Sequence, residues 1–314
     1  MSRILALLAA VAVAGASPVF AAYPERPVKL IVPWAAGGDT DAIYRAFGVL
    51  LQKHLGATVV ITNIGGASGT KGAKEAKDST PDGYTIFAVH DSIHSTYHTG
   101  VADVAWTDFQ PICLVSSTPS ILTAAPKAPW KDAKAMIADA KARPGQITVG
   151  ASLGSTSHFF PALVEKAAGI KFKYVSYEGT APRMNALLGS HIDMGESNLT
   201  QKGKADAGQM RFLAIATEKR SAEIPDVPTL KELGIDVVYA VNRGLMAPKA
   251  TPADVMAKLQ SACGAAAKET GFAEAMAKQG TLVHFLGPKD YIEFLKDNDK
   301  VNHDLAKDLG LLKR

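Results

Sequence analysis

The sequence predicts an α/β protein of two domains, each a mainly parallel sheet with flanking helices, joined by two interdomain crossings. Three observations carry this reading. Strand-like apolar runs alternate with helical patterns through most of the chain. Two glycine-rich turns near the start each lie between a strand and a helix. Two proline-bearing segments, Pro119–Pro129 and Val237–Pro248, look like crossings. They suggest one domain made from both chain ends (22–121 and 247–314) and a second inserted between them (122–246). The length suits such a division.

The opening MSRILALLAAVAVAGASPVFAAYPERP has a basic start at Arg3, an apolar run from Ile4 to Ala14, and small residues at Val19 and Ala21. This is the pattern of a secretory signal (1–21) cut after Ala21. The run is too short to span a bilayer and breaks at Gly15, Ser17 and Pro18. No Cys follows it to take a lipid, so an exported, soluble mature chain is expected. The formal charge of +4 is small and scattered, which argues against a nucleic-acid footprint. Cys113 and Cys263 are the only cysteines. They leave two readings open: a disulfide formed after export, or two small buried apolar residues.

In chain order, Val28–Val32, Thr58–Thr62 and Tyr84–Val89 read as buried strands. Ile43, Ala46, Phe47, Leu50, Leu51 and Leu55 recur at helical spacing before the stop at Gly56. In the middle segment a helix over Asp132–Ala142 precedes a strand over Gln146–Ser152. A helix from Thr156, a strand over Phe172–Tyr177, a helix over Pro182–Leu188 and strands over Ile192–Glu196 and Arg211–Thr217 follow. Helices over Pro252–Ala267, Phe272–Gln279 and Lys289–Leu309 close the chain.

The two glycine turns are the chemical signal. In LIVPWAAGGDTDAIYRAF, Gly37 and Gly38 let backbone approach a ligand, Asp39 or Thr40 caps the helix, and Trp34 can form an apolar wall. In VVITNIGGASGTKGAKEA, Gly65, Gly66 and Gly69 do the same, with Ser68 and Thr70 as hydroxyl donors. Both would aim free N–H groups and a positive helix end into one crevice, which suits a small anion. A third loop holds His90, Asp91, Ser92, His94 and His98. The histidines could share a helical face as metal ligands, but no Cys or Glu partner is nearby, so no metal is expected and His90 reads as a ligand donor. No cofactor is expected either: neither a Walker A nor a G-x-G-x-x-G pattern occurs.

Gly150–Gly154 matches the G-x-S-x-G of α/β serine hydrolases, with Asp193, Asp226, Asp236 and His284 downstream of Ser152. That alternative lacks a His-Gly-Gly oxyanion segment. Ser68-Gly69-Thr70-Lys71 matches S-x-x-K without its companion motifs. The simpler reading of Gly154-Ser155-Thr156-Ser157 is a helix start facing a cleft. Thr180, Ala181 and Pro182 would begin another, with Arg183 either a carboxylate clamp or a solvated helix residue.

At these residues a resemblance becomes specific. YPERPVKLIVPWAAGGDTD, NIGGASGTKGA, DGYTIFAVH, GSTSH, EGTAPRMNALLGSHID and KRSAEIPDVPTLKELG lie in order over nearly the whole mature chain. Together they resemble the Bug-type periplasmic solute receptors of tripartite tricarboxylate transporters. The resemblance implies a periplasmic, two-domain, flytrap-like binding protein, not an enzyme and expected to be monomeric, that serves a membrane permease. It implies a small organic acid as ligand: a di- or tricarboxylate, an aromatic acid, sometimes an amino or pyridine acid. It further implies a carboxylate held by Trp34, Ala36, Gly38 and Thr40, by Gly66, Ala67 and Ser68, and by Ser155, Thr156, Thr180, Ala181 and Pro182. His90 and Glu196 complete the candidate set. The chain departs from the family pattern at Ala35-Ala36, at Ile64-Gly65, at Glu196-Ser197 and at Pro161, where a kink in the helix is expected. These departures lie around the distal pocket and leave the ligand open.

Overall fold

The computed structural model describes residues 23–278 and 280–314. The expected leader and its cut after Ala21 lie outside the described residues. The first part of the chain forms β1 (Val28–Val32), α1 (Asp39–Leu55), β2 (Val59–Asn63), α2 (Thr70–Lys77), β3 (Thr85–His90), α3 (Ser92–His98) and β4 (Phe109–Pro119). The middle part forms β5 (Ile121–Ala124), α4 (Ala133–Ala142), β6 (Thr148–Ala151), α5 (Thr156–Ala168), β7 (Lys173–Ser176), α6 (Thr180–Leu188), β8 (Met194–Ser197), α7 (Lys202–Asp206) and β9 (Arg211–Ile215). The last part forms β10 (Ala240–Pro248), α8 (Ala253–Ala267), α9 (Thr270–Lys278), β11 (Leu282–Leu286) and α10 (Pro288–Asp308).

These elements build two α/β lobes. A six-stranded sheet has the order β11-β4-β10-β3-β1-β2, and a five-stranded sheet has the order β7-β6-β8-β5-β9. Both sheets are mixed. The βαβ units are parallel, pairing β1 with β2 and β3, and β6 with β7 and β8. The strands beside the crossings run antiparallel: β10 lies between β3 and β4, and β5 lies between β8 and β9. The chain passes from β4 to β5 through Ser120 alone. β10 already belongs to the six-stranded sheet at Ala240, so strand membership puts the return crossing before that residue rather than at 246/247.

Local sequence explains the elements that frame the cleft. In β1 every side chain except Lys29 is buried, as a strand covered on both faces requires. Helix α1 turns Ile43, Tyr44, Phe47, Leu51 and Leu55 onto the sheet and onto Val255, Met256 and Leu259 of α8. Each such burial contributes about 2 kcal/mol of transfer free energy. The helix ends where Gly56 turns left-handed (φ 79°). In the other lobe Phe160 and Val164 of α5 pack with Met136 of α4 and with Val149, Met194 and Leu213 of the sheet. Helix α5 runs through Pro161 without ending. Cys113 of β4 and Cys263 of α8 form a disulfide across the first core. No helix among the described residues is long and apolar enough to cross a membrane.

Strands β1, β2, β3, β6 and β7 all deliver the chain to the interlobe side, where α1, α2, α3, α5 and α6 begin. Ligand crevices in open α/β sheets form outside such carboxyl ends.

Candidate functional site

Three helix starts from two lobes meet at one cavity. Thr40 belongs to the first turn of α1; Ser155 and Thr156 open α5; Gly179 and Thr180 open α6. In none of the three does the N-cap residue bond its side chain to the first turn, so first-turn N–H groups remain for other acceptors. The unfilled space in this half-open pocket, solvent at its mouth included, amounts to about 310 Å³. Gly179 holds φ at 100°, a conformation that side chains rarely adopt, and an added Cβ would touch the Trp34 ring at 3.4 Å, so glycine sets this turn against that wall.

The wall itself is a stack. Trp34 and His90 lie 4.9 Å apart between ring centroids at 12°. His90 Nδ1 accepts a hydrogen bond from the Ser92 backbone N–H at 3.1 Å, which assigns the ring proton to Nε2. Burial, then the nearby Arg243 guanidinium, lower its pKa to about 3, so the ring is neutral. The Trp34 indole N–H is buried and has no hydrogen-bond partner among the described residues.

Two buried ion pairs close the floor. Arg243 Nη2 donates to Asp39 Oδ2 at 2.5 Å, while its Nε donates to Thr40 Oγ1 at 3.1 Å and its Nη1 to Thr118 Oγ1 at 2.8 Å. Asp39 also accepts from Thr180 Oγ1 at 2.7 Å and from Asn198 Nδ2 at 2.8 Å, both in the opposite lobe. Burial disfavours its ionised form, but Arg243 and then the Thr180 hydroxyl outweigh burial and hold it at about 2. In the second pair Arg183 Nη2 donates to Glu196 Oε2 at 2.6 Å and its Nε to the Glu196 carbonyl at 3.0 Å. Ser120 Oγ donates to Glu196 Oε1 at 3.2 Å. Burial pushes the Glu196 carboxyl up, against the pull of Arg183.

Seven of the residues singled out from sequence line this cavity: Trp34, Thr40, His90, Ser155, Thr156, Thr180 and Glu196. Ala36, Gly38, Gly66, Ala67, Ser68, Ala181 and Pro182 do not. Gly38 instead abuts the other lobe, where an added Cβ would stand 3.7 Å from both Ala181 N and Thr180 Cβ. The second turn is an interlobe strap. Ser68 N–H donates to Glu178 Oε2 at 2.8 Å and its hydroxyl to the Leu153 carbonyl at 2.8 Å. Ala67 and Ser68 both hold positive φ (49° and 55°), a conformation costing non-glycine residues roughly 1–2 kcal/mol each.

The cavity also contains Asp39, Ser152, Ser157, Gly179, Arg183, Val241 and Arg243, none of them in the expected ligand set. Asp39 was legible only as a helix cap, and Arg183 only as a choice between clamp and solvated residue. Arg243 carried a signal that sequence reading passed over: an arginine just before the apolar stretch Leu245–Ala247 must find a partner if the segment is buried. The loop expected after β3 is instead helical, as α3. His94 and His98 both bond Asp299 of α10 at 2.9 Å, away from His90. No group of three or more candidate metal ligands forms among the described residues.

The hydrolase constellation does not assemble. Ser152 Oγ donates to the Tyr177 carbonyl at 2.7 Å and accepts from Gly179 N–H at 3.0 Å. Asp193 accepts from Thr148, and His284 packs against Phe294. None of these partners joins the three.

Two sheets hinged over a polar cavity of helix starts define a two-lobed solute-binding fold, and comparison with known proteins bears on it. The profile described as "Tripartite tricarboxylate transporter family receptor" matches residues 43–311, and the chain belongs to that family. Bordetella pertussis BugT is 32% identical over 95% of this chain and 94% of its own. A Cupriavidus necator protein, "UPF0065 protein in gbd 5'region", is 32% identical over 93% and 90%. Among solved structures, the periplasmic binding protein BugD superposes with a TM-score of 0.88 at 31% identity, over 93% of this chain and all of its own. MatC of Rhodopseudomonas palustris with bound malate gives 0.84 at 26% identity, over 90% of this chain and 99% of its own. An R. palustris protein with adipate gives 0.86 at 28%, over 92% and 98%.

Proposed function

We propose that this chain is an exported, periplasmic receptor that captures a small organic carboxylate between its lobes and delivers it to a tripartite tricarboxylate-type membrane permease. It works by binding alone, as a monomer and without a cofactor. The observation that supports this most directly is the convergence of α1, α5 and α6 on one cavity. Their first-turn N–H groups suit a carboxylate, and their dipoles favour negative charge. Because the donors come from both lobes, a bound acid would link them and stabilise closure. The malate and adipate bound by related proteins support dicarboxylates as candidate ligands. The flat Trp34–His90 wall adds aromatic acids.

A thermal-shift screen of the mature protein against mono-, di-, tri- and aromatic carboxylates tests this. A ligand that binds only the folded chain raises the melting temperature by mass action, by about 2.7 kcal/mol of stability at a hundred times its Kd. A shift with one chemical class is the expected result. No shift with any acid would remove the reading.

A further inference from the structure

The relatives with malate and adipate suggest a dicarboxylate, but the charge count of this cavity points elsewhere. Four ionisable side chains other than histidine line it: Arg183, Arg243, Asp39 and Glu196. Each arginine is already matched to a carboxylate at 2.6 Å or less. All four side chains are nearly or wholly buried. His90 adds no charge, since its Nδ1 accepts from Ser92 and its ring is desolvated. The fixed charges therefore cancel. An incoming carboxylate meets only the partial charges of the helix starts, about half an elementary charge each. One carboxylate is served by them. A second would sit in a desolvated cavity beside Asp39 or Glu196 with no cation left for it.

The hydrogen-bond count agrees. An ionised carboxylate offers about four acceptor sites. Asp39 uses three of its sites, on Arg243, Thr180 and Asn198. Glu196 uses two, on Ser120 and Arg183. Of the two carboxylates, Glu196 therefore keeps the more unused acceptor capacity. A bound molecule that presents a hydroxyl or an ammonium there gains a charge-assisted hydrogen bond, whereas a carboxylate there gains repulsion.

Resting on the carboxylate-receptor reading, we propose that Glu196, with Asp39 in the same cavity, selects a monocarboxylate bearing a hydroxyl or ammonium donor and rejects a second carboxylate. A buried acceptor left unpaired by the wrong ligand is the usual source of large discrimination of this kind.

The test is calorimetric titration of the mature protein with two matched series. One is butyrate, gamma-hydroxybutyrate, gamma-aminobutyrate and succinate, with alpha-hydroxy- and alpha-aminobutyrate for donor position. The other is benzoate, para-hydroxybenzoate and terephthalate. The expected result is a donor-bearing monoacid at least about tenfold tighter than the dicarboxylate of its series. Its hydroxyl and ammonium members tell an uncharged donor from a cation. In Glu196→Gln that preference shrinks and the dicarboxylate gains. A dicarboxylate that binds tightest to the wild-type protein would overturn the inference and leave the receptor reading intact. So would a preference that Glu196→Gln leaves unchanged. No heat with any acid would remove the receptor reading and this inference together. If Glu196→Gln fails to fold, the wild-type ratio alone decides.

Discussion

Replacing His90 by Phe should change how stability depends on pH in a way the structure sets in advance. His90 is buried, stacked on Trp34, and held neutral with a folded pKa of about 3 against an ordinary 6.5. The causes are burial first and Arg243 second. The sign follows from proton binding. Between those two values the unfolded chain binds a proton that the folded chain refuses, so stability is full above the ordinary value and is lost as pH falls through the window. Each pH unit in the window is worth about 1.4 kcal/mol, so by about pH 4.5 the wild-type protein loses on the order of 3 kcal/mol through this group. Phe keeps the aromatic stack and does not titrate. It leaves the Ser92 N–H unpaired, a cost of about 1–3 kcal/mol that does not vary with pH. Urea unfolding at about pH 7 and pH 4.5 gives four stabilities. The expected outcome is a gap between wild type and variant that narrows by on the order of 3 kcal/mol at the lower pH. Asp39, held at about 2, loses its contribution only below its ordinary 3.8 and does not confuse this window. Parallel pH dependences in the two proteins would refute the reasoning.

Arg243→Met removes the guanidinium from Asp39 while Thr180 and Asn198 stay. An uncompensated buried carboxylate should cost on the order of 3–5 kcal/mol in chemical denaturation. Reducing Cys113–Cys263, which are separated by 150 residues, should cost about 5 kcal/mol on the chain-entropy estimate and lower the melting temperature in dithiothreitol. Ser152→Ala removes the bonds to Tyr177 and Gly179, lowering stability by about 1–2 kcal/mol. A serine-reactive probe should leave the wild-type serine unlabelled. Gly38→Leu should tolerate its backbone (φ −80°) but press on Ala181 and Thr180 across the cleft, so affinity for the bound acid should fall more than about tenfold with little change in melting temperature of the unliganded chain.

The fold was legible where the chain repeats local rules. The buried runs of β1 and β3 and the helical spacing of α1 appear within a residue or so of their observed bounds. Strands β4, β5, β10 and β11 were not read, and in β4 and β10 the local sequence argues against a strand. β4 carries Pro111 and Ser116-Ser117-Thr118, and β10 carries Asn242-Arg243-Gly244. Their pairing is long-range and antiparallel, and tertiary contacts override a weak local pattern. That is also why the sheets are mixed where a βαβ rhythm alone suggested mainly parallel ones.

The site divides in the same way. Trp34, Thr40, Ser155, Thr156 and Thr180 sit at strand-to-helix turns, which sequence marks with glycine and hydroxyl residues. Arg243 reaches the cavity from a strand remote in sequence, and its partner Asp39 is explained locally as a cap. Only the folded chain shows that the two neutralise each other. The second glycine turn looked like a ligand cradle, but Glu178 and Leu153 take the Ser68 donors in the structure. A turn rich in N–H groups does not say whether its acceptor is a ligand or the opposite lobe.

The most direct test of the account is calorimetric titration of a carboxylate panel into the wild-type mature protein and into Gly38→Leu side by side. The account predicts one acid bound per wild-type chain and a large loss of affinity when bulk is placed between Gly38 and Thr180. Absence of binding by every acid, or equal binding by the two proteins, would contradict the claim that the acid is held between the lobes.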